Sequence, residues 1–158
     1  MAKPNARDTF LSAEAFMSAL GILLRTAPEE KRYGIVLGTL EPFILELYLK
    51  CLIMLETGDH KRGHDLYKLF QFLNPQTQRE LGHAFDEYVA RFPSFINEAK
   101  INKWPVKLEP LLIRGRRAFE EFRYLHEHKD GTTLWGLKGL VIGVRERILQ
   151  LHPEWEET

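Results

Sequence analysis

The chain has 158 residues, 44% of them hydrophobic, which fits a single domain, residues 1–158, with a core of its own and excludes a disordered segment. Its 22 basic and 22 acidic residues cancel, so no global field draws it to nucleic acid or an anionic membrane, and any such affinity has to come from local clustering. The single cysteine, Cys51, excludes an internal disulfide; set in the apolar run from Phe43 to Leu55, it is expected to be an inert core thiol.

The opening Met-Ala-Lys-Pro-Asn-Ala-Arg-Asp has no apolar core of the secretion-signal kind. Glu46 and Lys50 break the longest apolar run well short of a membrane span, so a cytoplasmic protein without a membrane partner is expected. From Phe10 to Leu24, the residues Phe10, Ala13, Phe16, Met17, Leu20 and Leu24 recur at helical spacing behind a cap at Asp8 or Thr9. A polar stretch from Thr26 to Gly34 interrupts the pattern. The second helix starts at Val36 or at Glu41, the later start placing Pro42 in a tolerant first turn, and it stops at Gly58. It is apolar almost all round, which makes it the central helix of a bundle. Its exceptions, Glu46 and Lys50, are four apart in the favourable order and can pair. Their seam either reaches the surface or faces a polar cleft or a second subunit.

A short helix from about His64 to Phe70, begun by Asp65 or His64, turns Leu66, Leu69 and Phe70 inward. A third long helix follows from about Thr77 to Phe92, carrying Leu81, Phe85, Val89 and Phe92 and stopped by Pro93. Residues 94–110 are less regular and read as a short helix and a loop anchored by Trp104-Pro105. A fourth long helix runs from about Glu109 to His128 and ends at Lys129-Asp130-Gly131. The last runs from Thr133 to Leu151 on a stripe of Leu137, Leu140, Val141, Val144, Ile148 and Leu151. No strand pattern, internal repeat or low-complexity tract is present. The fold class is therefore all-α: an up-and-down bundle of four to five main helices with short connecting helices.

Polar side chains concentrate on the fourth helix. Arg116, Glu120, Arg123 and Glu127 follow at steps of four, three and four, one stripe of a regular helix, with His126 at its border. The stripe is either an exposed ladder of ion pairs or one wall of a polar groove, facing Glu46 and Lys50, in which arginine holds phosphate and histidine moves a proton. Arg114, Arg116 and Arg117 with Lys100, Lys103 and Lys107 form either a solvated face or a basic patch beside Trp104. His60 and His64 are four apart but flank Gly63 and lack a third ligand, so no metal or cofactor is expected.

Three segments carry a family resemblance: Phe43-Ile-Leu-Glu-Leu-Tyr-Leu-Lys50-Cys-Leu, His64-Asp-Leu-Tyr-Lys-Leu-Phe70 and Arg117-Ala-Phe-Glu-Glu-Phe-Arg-Tyr124. In order and spacing they resemble the HEPN family, the higher-eukaryote and prokaryote nucleotide-binding domains, over about Leu40 to Leu151. The resemblance implies a helical bundle that forms a homodimer and binds RNA or a nucleotide. Many members are metal-independent endoribonucleases of toxin or defence systems; others are non-catalytic interaction, antitoxin-like or nucleotide-binding modules with a partner protein. The nuclease members carry an arginine and a histidine four to six residues apart, which implies Arg123 and His128 as the catalytic pair. On a regular helix those two side chains would stand roughly 140 degrees apart, so a frayed end or a second subunit has to bring them together. Tyr124 stands where the nucleases tend to have a small polar residue. Arg123-Tyr124-Leu125-His126-Glu127 is closer to an inactive subgroup with Arg-Tyr and a following glutamate.

Overall fold

The computed structural model describes residues 4–26, 34–123 and 137–156. Its helices are α1 (Ala6–Thr26), α2 (Gly34–Thr57), α3 (Leu66–Gln71), α4 (Pro75–Ala90), α5 (Pro93–Asn102), α6 (Leu108–Arg114), α7 (Ala118–Arg123) and α8 (Leu137–Leu151), followed by a 3₁₀ turn (Pro153–Trp155). No strand occurs among the described residues, and the protein is an all-α bundle. No described helix is long and apolar enough to cross a membrane.

The helix boundaries follow the side chains that satisfy the free backbone groups at each end. Asn5, rather than Asp8 or Thr9, caps α1: its side chain accepts from the Asp8 N–H at 2.8 Å. Helix α2 starts earlier than either expected position and carries Pro42 in its interior, where the missing N–H leaves the carbonyl one turn back without its usual partner. It ends where expected, with Gly58 at a φ of 71° donating to the Met54 carbonyl. Asp65 caps α3 through the Lys68 N–H, and Asn74 caps α4 through the Thr77 N–H. Glu56 reinforces the α4 start from α2, accepting from the Asn74 N–H at 2.7 Å and from the Thr77 hydroxyl.

Helix α2 occupies the middle of the bundle, with α1, α3, α7 and α8 packed on it, as its all-round apolar character requires. Ile44, Leu45, Tyr48, Leu49, Cys51, Leu52 and Ile53 are fully buried along it. Burial pushes the Cys51 thiol up to about 12, which matches an inert core cysteine. Helix α4 closes on α8 at Gly139, where a Cβ would meet Tyr88 Cδ1 at 2.5 Å, so only glycine admits the aromatic ring there.

The expected fourth long helix is broken. Residues 115–117 form a turn between α6 and α7, Gly115 receiving the end of α6 by donating to the Leu111 carbonyl at 2.8 Å. The turn is held from outside, because the Arg116 carbonyl accepts from the Leu66 N–H at 2.9 Å. Residues 124–128 of that expected helix, and the part of the expected last helix before Leu137, lie outside the described residues.

A polar link also crosses the core. Tyr48 of α2 donates its hydroxyl to Glu14 of α1, and Arg145 of α8 grips the same carboxylate through Nε at 2.8 Å and Nη2 at 3.0 Å. Burial and the Glu14 carboxylate raise the Tyr48 phenol well above its ordinary range. Tyr48→Phe is expected to cost about 1 kcal/mol in urea unfolding and Glu14→Ala about 2 kcal/mol, since the latter strands a buried hydroxyl; wild-type midpoints for both would show that the link is slack.

Glu41 of α2 is pushed from an ordinary 4.5 to about 7 by burial, against the pull of the Lys138 ammonium. Between those two values the folded chain holds a proton that the unfolded chain has released, so stability is lost as pH rises through the window. Glu41→Gln removes that share of the dependence. Melting midpoints followed from pH 4.5 to 7 should fall less steeply in the variant; equal slopes would contradict the assignment.

Candidate functional site

Glu46 is the buried charged residue of α2. Glu46 has 2% of its side chain exposed and Lys50, one turn on, 12%, with Lys50 Nζ at 2.7 Å from Glu46 Oε1. Glu46 itself is thus withdrawn from the surface, while the seam opens outward through Lys50 and the residue that meets it from beyond α2. A carboxylate this deep needs compensation, because the desolvation cost of a lone charge is several kcal/mol. Lys50 supplies the charge, and His64 supplies a further donor.

His64 reaches Glu46 from the segment between α2 and α3. Its Nδ1 lies 3.0 Å from both carboxylate oxygens, and half of its side chain is exposed. Gly63 makes this approach possible, turning the chain at a φ of 105°, a conformation that residues with side chains rarely adopt. The Asp65 cap then starts α3 immediately after the histidine. Because the partner of Nδ1 is a carboxylate, which only accepts, Nδ1 carries the proton. Nε2, across the ring, is the nitrogen left for other work.

Helix α7 and the turn before it complete the surroundings. Phe119 lies beside His64, ring centroids 6.2 Å apart, and stacks on Phe43 of α2 at 4.9 Å. Arg116 Nε lies 3.8 Å from Asp65 Oδ2, and Arg117 Nε donates to Glu120 Oε2 at 2.8 Å. Both arginines are more than half exposed, so their ion pairs are weak and their guanidinium groups are accessible.

Of the expected site residues, Glu46 and Lys50 come together as a pair, and Arg116 lies on the segment that binds the start of α3. The stripe does not form as expected. Arg116 lies in the turn and pairs with Asp65, while Glu120 pairs with Arg117, because the interruption at 115–117 resets the helical phase. Arg123 is the last residue of α7; its side chain, and all of Tyr124, His126, Glu127 and His128, lie outside the described residues. His60 and His64 do not form part of any three-residue metal cluster among the described residues. In the wider basic patch, Lys107 is held by Asp86 at 2.8 Å, and Trp104 is half-buried at the end of α5.

The residue that sequence reasoning underweighted is His64. Its segment was recognisable, but its partner lies 18 residues back on another helix, and no local spacing rule pairs them. The signal was the Glu46-Lys50 pair in the middle of an apolar run, where a buried carboxylate has lone pairs left to satisfy. Glu46→Gln should therefore destabilise the fold by about 3 kcal/mol, leaving Lys50 without its carboxylate, while His64→Ala should cost about 1 kcal/mol. Urea titration of both variants tests the order; a Glu46→Gln chain as stable as the wild type would refute the buried pair.

No protein-family model, curated protein or solved structure matches the chain.

Proposed function

We propose that the protein is a HEPN-like helical module that binds RNA on the surface where α2, the start of α3 and the α6–α7 turn meet, and that cleavage of the bound strand is its activity. The observation that carries this reading is the convergence of the three segments behind the resemblance. Glu46 and Lys50 come from the first, His64 from the second, and Phe119 and Arg117 from the third, with Arg116 immediately before it. A half-exposed imidazole beside two accessible guanidinium groups and an aromatic ring is a chemistry suited to a phosphate, a ribose hydroxyl and a base.

Homodimer formation, a toxin or defence role and a partner protein belong to the same reading through the resemblance. Arg123 and His128 are the pair that the resemblance implies for cleavage. A second reading, a non-catalytic interaction module, draws on the saturation of Glu46: both of its oxygens are engaged, as a purely structural buried pair requires.

The test is direct. Fluorescence anisotropy with a labelled single-stranded RNA should show saturable binding by the wild type. Arg116→Ala and Arg117→Ala should each weaken it about tenfold and lower the salt slope of log K by about one, as expected for a lost phosphate contact. Wild-type affinity and salt slope in both variants would place the RNA elsewhere, and absence of binding by the wild type would favour the interaction module.

A further inference from the structure

We infer that His64 is the proton-transfer group of this surface, positioned by Glu46, and that it acts on the ribose 2′-hydroxyl of a bound RNA strand; the inference rests on the RNA reading above. The cluster resembles an ordinary buried ion pair until its parts are assigned roles. Lys50 sits at 2.7 Å from Glu46 Oε1 and already balances the carboxylate charge. The histidine is therefore not needed as a counter-ion. What Glu46 gives it is a fixed ring orientation and a fixed tautomer, Nδ1–H bonded at 3.0 Å to both oxygens.

A neutral imidazole with its proton on Nδ1 has a lone pair on Nε2, and among the described residues no protein group takes it. The side chain is 51% exposed, so a ligand can reach that nitrogen. The buried carboxylate also stabilises the imidazolium that forms when Nε2 accepts a proton, as a carboxylate does behind any histidine acting as a general base. Phe119, 6.2 Å from the ring, walls one side. Arg116, ion-paired with the residue that follows His64, brings a guanidinium to the same rim.

The reaction these groups support is transesterification within the strand. Nε2 takes the proton of the 2′-hydroxyl; the 2′-oxygen attacks the adjacent phosphorus, forming the 2′-O–P bond as the P–O5′ bond breaks. The departing 5′-oxygen takes the proton back from Nε2. The products are a 2′,3′-cyclic phosphate and a 5′-hydroxyl end, with no change in oxidation state and no co-reactant. In this reaction Arg116 and Arg117 take the role of holding the non-bridging oxygens, whose charge grows in the transition state.

The experiment uses the full chain in EDTA, with a labelled single-stranded RNA to follow cleavage and its 2′-O-methyl analogue, which cannot react, to follow binding. The wild type should yield cyclic-phosphate ends. His64→Ala should slow cleavage about 100-fold or more while binding the 2′-O-methyl strand within about twofold and melting only about 2–4 °C below the wild type, and added imidazole should restore part of the rate. A structural role for His64 would not respond to imidazole. If His64→Ala cuts as the wild type does while His128→Ala does not, the assignment of His64 is overturned and the RNA reading stands. The assignment is likewise overturned if the wild type binds the 2′-O-methyl strand but cuts nothing. If the wild type binds neither strand, the RNA reading itself fails and takes the inference with it.

Discussion

A carboxylate on the most buried helix of the bundle has to be neutralised from within, and Glu46 imposes that requirement on its surroundings. Lys50 balances the charge along α2, and His64, from the chain beyond α2, adds a hydrogen-bond donor. The second contact has consequences for the topology. Holding His64 against α2 places Asp65 and the start of α3 beside it, and the first free N–H of α3, that of Leu66, then takes the Arg116 carbonyl. The turn before α7 is thereby tied to the same spot, so one buried charge organises the junction of three segments that are far apart in the chain. Burying a charge is costly relative to an apolar residue of the same shape, and its retention in the core is easier to understand if the group it orients has a task.

The bundle uses the same device twice more. Glu14 joins α1, α2 and α8 by taking Tyr48 and Arg145 together, and Glu56 at the end of α2 takes the first N–H and a hydroxyl of the α4 start. In each case a carboxylate on a long helix collects donors from other elements. Apolar packing along α2 supplies most of the cohesion, but it is non-directional. These carboxylates add direction, favouring the rotation and register of the neighbouring helices that bring these donors to them. Of these three carboxylates, Glu46 is the one that collects an imidazole, whose second nitrogen has no partner among the described residues.

Much of the bundle was legible because its signals are local. The stripe from Leu137 to Ile148, the apolar surround of α2, the Gly58 stop and the Asp65 cap each depend on residues within a turn or two of one another. Where reading failed, the deciding partner was distant. Residues 109–123 have helical character throughout, yet they divide at 115–117 because Gly115 ends α6 and the Leu66 N–H from another segment holds the Arg116 carbonyl. The expected stripe of Arg116 and Glu120 depended on an unbroken 3.6-residue period, and a single turn was enough to hand Glu120 to Arg117 instead.

The sequence by itself determined that this is an all-α bundle, which helix lies at its centre, and that Glu46 and Lys50 were an anomaly on that helix, because periodicity, caps and the cost of burying charge act at short range. Tertiary structure alone decided that His64 joins the Glu46-Lys50 pair, that Arg116 and Arg117 are exposed on the turn tied to the start of α3, and that Glu14 binds Tyr48 and Arg145. The reason is that hydrogen bonding and charge compensation are satisfied by whichever group the fold brings within about 3 Å, and nothing in the spacing of residues along the chain encodes that neighbour.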